Sequence, residues 1–230
     1  MNWLSPEEWS AVRLSLAVSL RSVALGLPLA VVAAWLLARG RFPGRPLLDA
    51  LVHLPLVMPP VVVGWLLLVV FGVRGPVGSR LEAWFGVRLV FTTDGAALAT
   101  AVMAFPLIVR AVRLSLETVD PGLEAAARTL GAGPLDRFAT VTLPLMSPGI
   151  LAGAITAFAA GLGEFGAVIT FASNIPGETQ TLPLAIYAAT QTPGGEATAA
   201  KLSAVSFVLA IAGLLLSELI ARRMRLLLGG

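Results

Sequence analysis

Apolar residues run along this chain in five long stretches, separated by short connections rich in charge, proline or glycine. An ionised side chain at the middle of a bilayer is costly, so the charge-free intervals mark candidate crossings. The first runs from Leu14 to Leu37 and is interrupted only by Arg21. The second lies between Asp49 and Arg74 with His53 as its one ionisable group, and the third starts after Asp94 and fades near Arg110 and Arg113. The fourth begins after Pro148 and reaches about Phe171 with Glu164 inside it; the fifth follows Lys201 and ends at Arg222. At 1.5 Å per residue the run from Ala50 to Val73 reaches ~36 Å, enough for a ~30 Å hydrocarbon core with some tilt. Continuous apolar runs of this length fit helices and not the alternating strands of a barrel. The predicted fold class is all-α: a polytopic membrane protein of five transmembrane helices forming one domain over residues 1–230.

Local punctuation adds detail. Ser5, Pro6, Glu7 and Glu8 read as a helix start, with a hydroxyl cap, a proline in the first turn and a carboxylate placed to close a capping box. A short interfacial helix with Trp3 and Trp9 at headgroup depth is expected there, leading into the first span. Met58, Pro59 and Pro60 remove backbone donors and should kink or interrupt the second span near its inner half. Leu182 to Ala189 is too short to cross and is expected to form a small helix at the outer mouth. The connection over about 117–147 carries the densest signals. Asp120 and Pro121 cap and start a helix, Leu123 to Leu130 propagate it, and Gly131 supplies a left-handed C-cap. Pro134 starts a second short helix, which should end before Pro144 because a residue preceding proline is pushed from the helical region; Ser147 and Pro148 should then open span four.

Composition narrows the function. Of the 230 residues 57% are hydrophobic and 13% charged, about half the charge of an ordinary soluble domain. With no Cys and one His, thiol catalysis, zinc–thiolate sites and imidazole clusters are excluded, and no metal site is expected. The basic residues stand in ones and twos between apolar runs, which argues for membrane topology and against nucleic acid. If the N-terminus is outside, the inner face holds Arg39, Arg41, Arg45, Arg110, Arg113 and Arg128 with Arg137, Arg222, Arg223 and Arg225. The outer face then holds Arg13, Arg74, Arg80, Arg88 and Lys201, a positive-inside bias that sets the N-terminus outside and the C-terminus in the cytoplasm. Met1 to Ser10 has neither a basic n-region nor a cleavage site, so no removed signal peptide is expected.

Glu124, Ala125, Ala126, Ala127 and Gly131, followed by Leu143 and Pro144, resemble the EAA signature of importer-type ABC permeases. Glu124 stands seven residues before Gly131, where the common form has six and an acidic residue at the place of Ala125. The resemblance extends through Gly163-Glu164-Phe165-Gly166, Ser173 to Thr179 and Thr192 to Glu196, a set that looks like the molybdate permeases, with sulfate permeases next. It implies a type I importer fold whose inner loop docks on ATPase subunits, with Glu124, Ala125, Ala126, Gly131, Leu143 and Pro144 as coupling residues. It further implies a homodimer in a prokaryotic inner membrane, two ATP-binding-cassette ATPases that hold ATP and Mg, and an extracytoplasmic molybdate-binding protein. No cofactor is expected on this chain, and it has no GxxxxGK[ST] phosphate loop of its own. Molybdate, with tungstate, is the expected cargo; sulfate, or gradient-driven transport by the chain alone, are the alternatives.

Candidate pathway residues are Gly163, Glu164, Phe165 and Gly166 in span four and Ser173, Asn174 and Thr179 in the outer loop, whose uncharged polar groups suit weak contact with a passing oxyanion. Glu164 has three readings: a gate or dimer contact among glycines, a protonated buried acid, or a partner of Arg21, which lies at a similar depth. A bare carboxylate is a poor ligand for a dianion. His53 is expected at a helix end, at the interface.

Overall fold

The computed structural model describes residues 3–227, with the side chains of the last helix described only in part; those of Arg222, Arg223 and Arg225 lie outside the described residues. The described chain is helical, in the order α1 (Pro6–Arg39), α2 (Arg45–Val57), α3 (Pro60–Phe71), α4 (Gly78–Phe85), α5 (Thr93–Thr118), α6 (Pro121–Thr129) and α7 (Pro134–Arg137). A π-helical turn over Phe138–Thr142 leads into α8 (Leu143–Leu162), followed by α9 (Gly166–Ala172), α10 (Leu182–Thr190) and α11 (Glu196–Leu227). Four continuous helical segments are long and apolar enough to cross a membrane, and α2 with α3 forms a fifth that is bent by 117°.

Contacts at the middle and at the end of α1 fix how the crossings run. Arg21 meets Asp94 at the start of α5 at 2.7 Å, and Arg39 meets the carbonyls of Leu116 and Val119 at its end at 3.5 and 3.3 Å. The two helices therefore run side by side in the same direction. The chain must return between them, so the bent α2–α3 unit is a crossing even though neither half spans alone. Helix α8 runs back along α5, with Met146 beside Ser115 and Gly161 beside Thr100. Gly149, Gly153 and Gly161 on α8 face Ser115, Ile108 and Thr100 at distances that leave little or no room for a Cβ, the small-residue packing by which helices approach closely in lipid. Lys201 near the start of α11 pairs with Glu8 near the start of α1 at 2.7 Å, so α11 begins at the end where α1 begins.

Several expectations need correction. The first helix is one 34-residue rod from Pro6, so no separate interfacial helix precedes the span; the Ser5–Glu8 capping box is present, and it caps the crossing itself. A rod of ~51 Å outruns a ~30 Å core, which leaves its first turns outside the hydrocarbon. The second span is not a single ~36 Å helix, because Pro59 and Pro60 break it outright. The helix begun at Pro134 does not end before Pro144, and α8 continues through Pro148. The π turn absorbs the first proline, and the Ser147 hydroxyl donates to the Pro144 carbonyl at 2.7 Å, the acceptor that Pro148 leaves unfilled. Span four instead breaks at Gly163–Phe165. His53 lies inside α2, its Nδ1 2.9 Å from the Asp49 carbonyl oxygen, and not at a helix end.

Candidate functional site: a knob and a broken helix pair

The knob is built from local signals. The Asp120 carboxylate accepts from the Gly122 N–H at 2.8 Å and starts α6. Gly131, with φ +90°, ends it; the Gly131 N–H donates to Arg128 at 3.1 Å and the Ala132 N–H to Ala127 at 3.1 Å, which is a Schellman closure. Helix α7 follows and feeds α8 through the π-helical turn. Leu130 and Leu135 at the tips are 88% and 85% exposed, the kind of apolar surface that marks a protein contact.

Glu124 faces inward. Its Oε1 accepts from Arg39 Nη2 at 3.5 Å and from the Thr142 hydroxyl at 2.9 Å. Arg39 adds its bonds to the Leu116 and Val119 carbonyls, which lie on the last turn of α5 and the residue leaving it. The carboxylate therefore ties α6 to the ends of α1 and α5 and to the root of α8. Of the expected coupling residues, Glu124 and Ala125 turn toward α1, Ala126 and Gly131 are exposed, and Leu143 and Pro144 lie on the first turn of α8. Arg39 and Thr142 were missed by the sequence reading. Arg39 stands 85 residues from Glu124 and carried no signal beyond the inner-face positive charge.

At the other end of the molecule, Gly163, Glu164 and Phe165 form the gap between α8 and α9. The Glu164 carboxylate accepts from the Ala167 N–H at 2.9 Å, so it caps α9. It does not pair with Arg21, whose guanidinium is taken by Asp94. Phe165 packs on Tyr187 of α10 with ring centroids 5.2 Å apart. Helix α9 lies against α3. A Cβ on Gly64 would come 2.7 Å from the Ala167 carbonyl oxygen and 2.8 Å from the Thr170 Cβ, and one on Gly166 would come 2.8 Å from the Pro60 Cβ. The two short helices are thus keyed backbone to backbone, each reached through a break in its own span.

The far end of α9 is Ser173, with φ +65° and ψ −165°, a conformation that only glycine adopts at little cost. The Thr179 hydroxyl is buried, donates to the Ser173 carbonyl at 3.2 Å and accepts from the Ile175 N–H at 2.9 Å. It pins the strained turn and is not a free lining group. Asn174 has a buried Oδ1 without a hydrogen-bond partner. The predicted pathway residues therefore bracket α9 at both ends. Helix α10 forms where expected, but it is wedged between α1 and α11, with the Leu182 N–H donating to the Ser15 hydroxyl at 2.6 Å.

Comparison with known proteins places this geometry. Residues 26–226 match the model of the family described as binding-protein-dependent transport system inner membrane component. The chain is 59% identical to the molybdenum transport system permease protein ModB of Escherichia coli (strain K12) over 95% of this chain and 96% of that one. It is 54% identical to ModB of Haemophilus influenzae over 96% and 97% of the two chains. A crystal structure of a bacterial alginate ABC transporter, in complex with an alginate-bound periplasmic protein, is alike in fold: TM-score 0.76 at 18% identity, covering 96% of this chain and 81% of that one. The chain belongs to the family of binding-protein-dependent transport system inner membrane components.

Proposed function

We propose that this member of that family is the permease subunit of an ABC importer carrying molybdate, and tungstate with it, across the cytoplasmic membrane. The observation that carries the reading is the near-full-length identity to the ModB permeases. In this reading two copies form the path between them, with N-termini outside, and each holds one ATPase subunit on its knob. ATP and Mg belong to the ATPase, and a binding protein outside the membrane delivers the anion. The chain performs no bond chemistry itself.

Its residues do mechanical work. Drawing two ATPases together moves the exposed Leu130 and Leu135 tips of the knob. The Arg39–Glu124–Thr142 ties hand that displacement to the ends of α1, α5 and α8 at once. Helix α8 carries it to the Gly163–Phe165 break, and α9 moves with α3 because their backbones are keyed. Opening follows where the rods are discontinuous.

The test is reconstitution in liposomes with a candidate ATPase and binding protein, following ATP-dependent uptake of radiolabelled molybdate. Uptake that requires all three components, with sulfate a poor competitor, is the expected result. Uptake by the chain alone under an ion gradient, or sulfate competing as well as tungstate, would overturn it.

A further inference from the structure

The transport reading leaves a cavity beside the knob unused. A half-open groove of about 640 Å³ lies between the inner third of α1 and the knob. One wall is apolar, made by Val31, Val32 and Trp35. The facing wall is the side of α6 carrying Pro121, Glu124, Ala125 and Arg128, spaced as one helical face, and Arg137 adds to it from α7.

Charge in the groove is one-sided. Its carboxylate, Glu124, is engaged by Arg39 and Thr142. Arg128 and Arg137 form no ion pair and no side-chain hydrogen bond among the described residues, although both line the cavity. Depth is graded too. Trp35 lies one turn and Val31 two turns before Arg39, roughly 6 to 12 Å along the helix, so the apolar wall extends along α1 from the level of Arg39 toward the middle of the bundle.

We propose that this groove binds an anionic phospholipid, with its phosphate between Arg128 and Arg137 and an acyl chain along Val31, Val32 and Trp35. Guanidinium forks match phosphate oxygens in pairs, and basic pockets beside membrane helices on the cytoplasmic side are suited to anionic headgroups. A free inorganic anion would use the two arginines and leave the apolar wall uncovered. The face of α6 with Leu123 and Ala126 lies outside the groove, while Ala125 and the Leu135 tip line it, so a lipid and an ATPase would share that edge. The site rests on the reading that this end of the bundle lies at a bilayer surface, and it is independent of cargo and of ATP.

Native mass spectrometry of the full chain in detergent, with dioleoylphosphatidylglycerol and dioleoylphosphatidylcholine at equal concentration, provides the test. Wild type should retain the anionic lipid roughly tenfold better. R128Q/R137Q should lose that preference, and R41Q/R45Q, which removes two inner arginines outside the groove, should keep it. Brominated phosphatidylglycerol should quench tryptophan fluorescence, and W35F should remove a share of that quenching that R128Q/R137Q also removes. The proposal is overturned by equal retention of the two lipids in wild type, by a preference that survives R128Q/R137Q, or by one lost equally in R41Q/R45Q. Displacement by millimolar inorganic phosphate would assign the groove to a free anion, and loss of the lipid on binding the ATPase would assign it to the protein partner; either overturns it as well. Failure here leaves molybdate uptake in liposomes untouched as the measure of the transport reading.

Discussion

The α3–α9 pair and the α6–α7 knob are both short-helix assemblies, yet opposite forces hold them. Gly64 and Gly166 bring α3 and α9 so close that a single methyl group would strike backbone or ring atoms, and the pair has almost no polar bonding between its members. The knob has no buried residue on α6 or α7 and hangs from polar ties: the Asp120 cap, the Schellman closure and the bonds to Glu124. Close packing in lipid has two discrete arrangements, packed or separated, which suits an element that opens or shuts. Polar ties at the aqueous face hold an orientation while leaving apolar tips free to be gripped. The difference separates an end fixed by backbone packing from one held in place by polar bonds.

The largest effect is expected where packing alone decides. Gly64→Val should separate α3 from α9, destabilise the chain by about 1–3 kcal/mol and abolish uptake, read as thermal stability of the purified protein and molybdate transport in liposomes. Gly163→Ala is the paired measurement. The nearest atom to its Cβ would be 3.7 Å away, so stability should stay within about 0.5 kcal/mol of wild type. Equal damage from both would mean that close approach at position 64 does not set the difference.

At the knob, Glu124→Ala should leave the fold almost intact, since the Arg39 pair is partly exposed and such pairs are worth about 1 kcal/mol or less. Coupling should suffer more. ATPase stimulation in the reconstituted complex is expected to fall roughly tenfold, equivalent to about 1.4 kcal/mol, and Thr142→Val should fall in the same direction by less, since it removes one of the same ties. Stimulation unchanged in both would detach the carboxylate from force transfer. Gly131→Ala comes next. At φ +90° with open space around it, the added methyl should cost about 1–2 kcal/mol of local strain and loosen the α6 end without touching the α3–α9 pair.

How much of this could be read from the residues divides along the same line. The knob was legible because its signals are local: Asp120 before Pro121 and Gly131 after Leu130 specify a start and a stop within ten residues. The crossings were legible because hydropathy needs no partners. The break at Pro59–Pro60 announced itself by two missing donors, whereas the break at Gly163–Phe165 lay inside an apolar run where glycine signals close packing and interruption alike. The rule that ends helices before proline failed at Pro144 and Pro148 because a π turn and the Ser147 hydroxyl take up the loose carbonyl, which no local rule anticipates. Helix α4, with its exposed Trp84 and Phe85, was not foreseen, although Gly86 at φ +65° closes it as Gly131 closes α6. Arg39 to Glu124 and Arg21 to Asp94 were out of reach, because nothing in a sequence pairs residues 85 or 73 positions apart.

The smallest effect belongs to that last pair, and it sharpens the comparison by asking whether the end opposite the knob depends on charge at all. Arg21 and Asp94 sit 2.7 Å apart on the rim of the bundle with 52% and 69% of their side chains outside the packing, so the bond's share of stability is expected to be about 1 kcal/mol at most. Arg21→Gln should accordingly lower the melting temperature by no more than a few degrees. The double reversal Arg21→Asp with Asp94→Arg should recover most of what either reversal loses. Reversing Arg21 together with Glu164 should recover nothing, because the Glu164 carboxylate is spent on the Ala167 N–H at the start of α9. Glu164→Gln keeps an acceptor for that N–H, so it should preserve the fold while Glu164→Leu frays α9 and, through the Gly166 contact with Pro60, loosens α3 as well. If instead the Arg21–Glu164 reversal restored transport, the end opposite the knob would be held by an ion pair across α1 and α8, and the contrast between a packed end and a polar-tied end would fail.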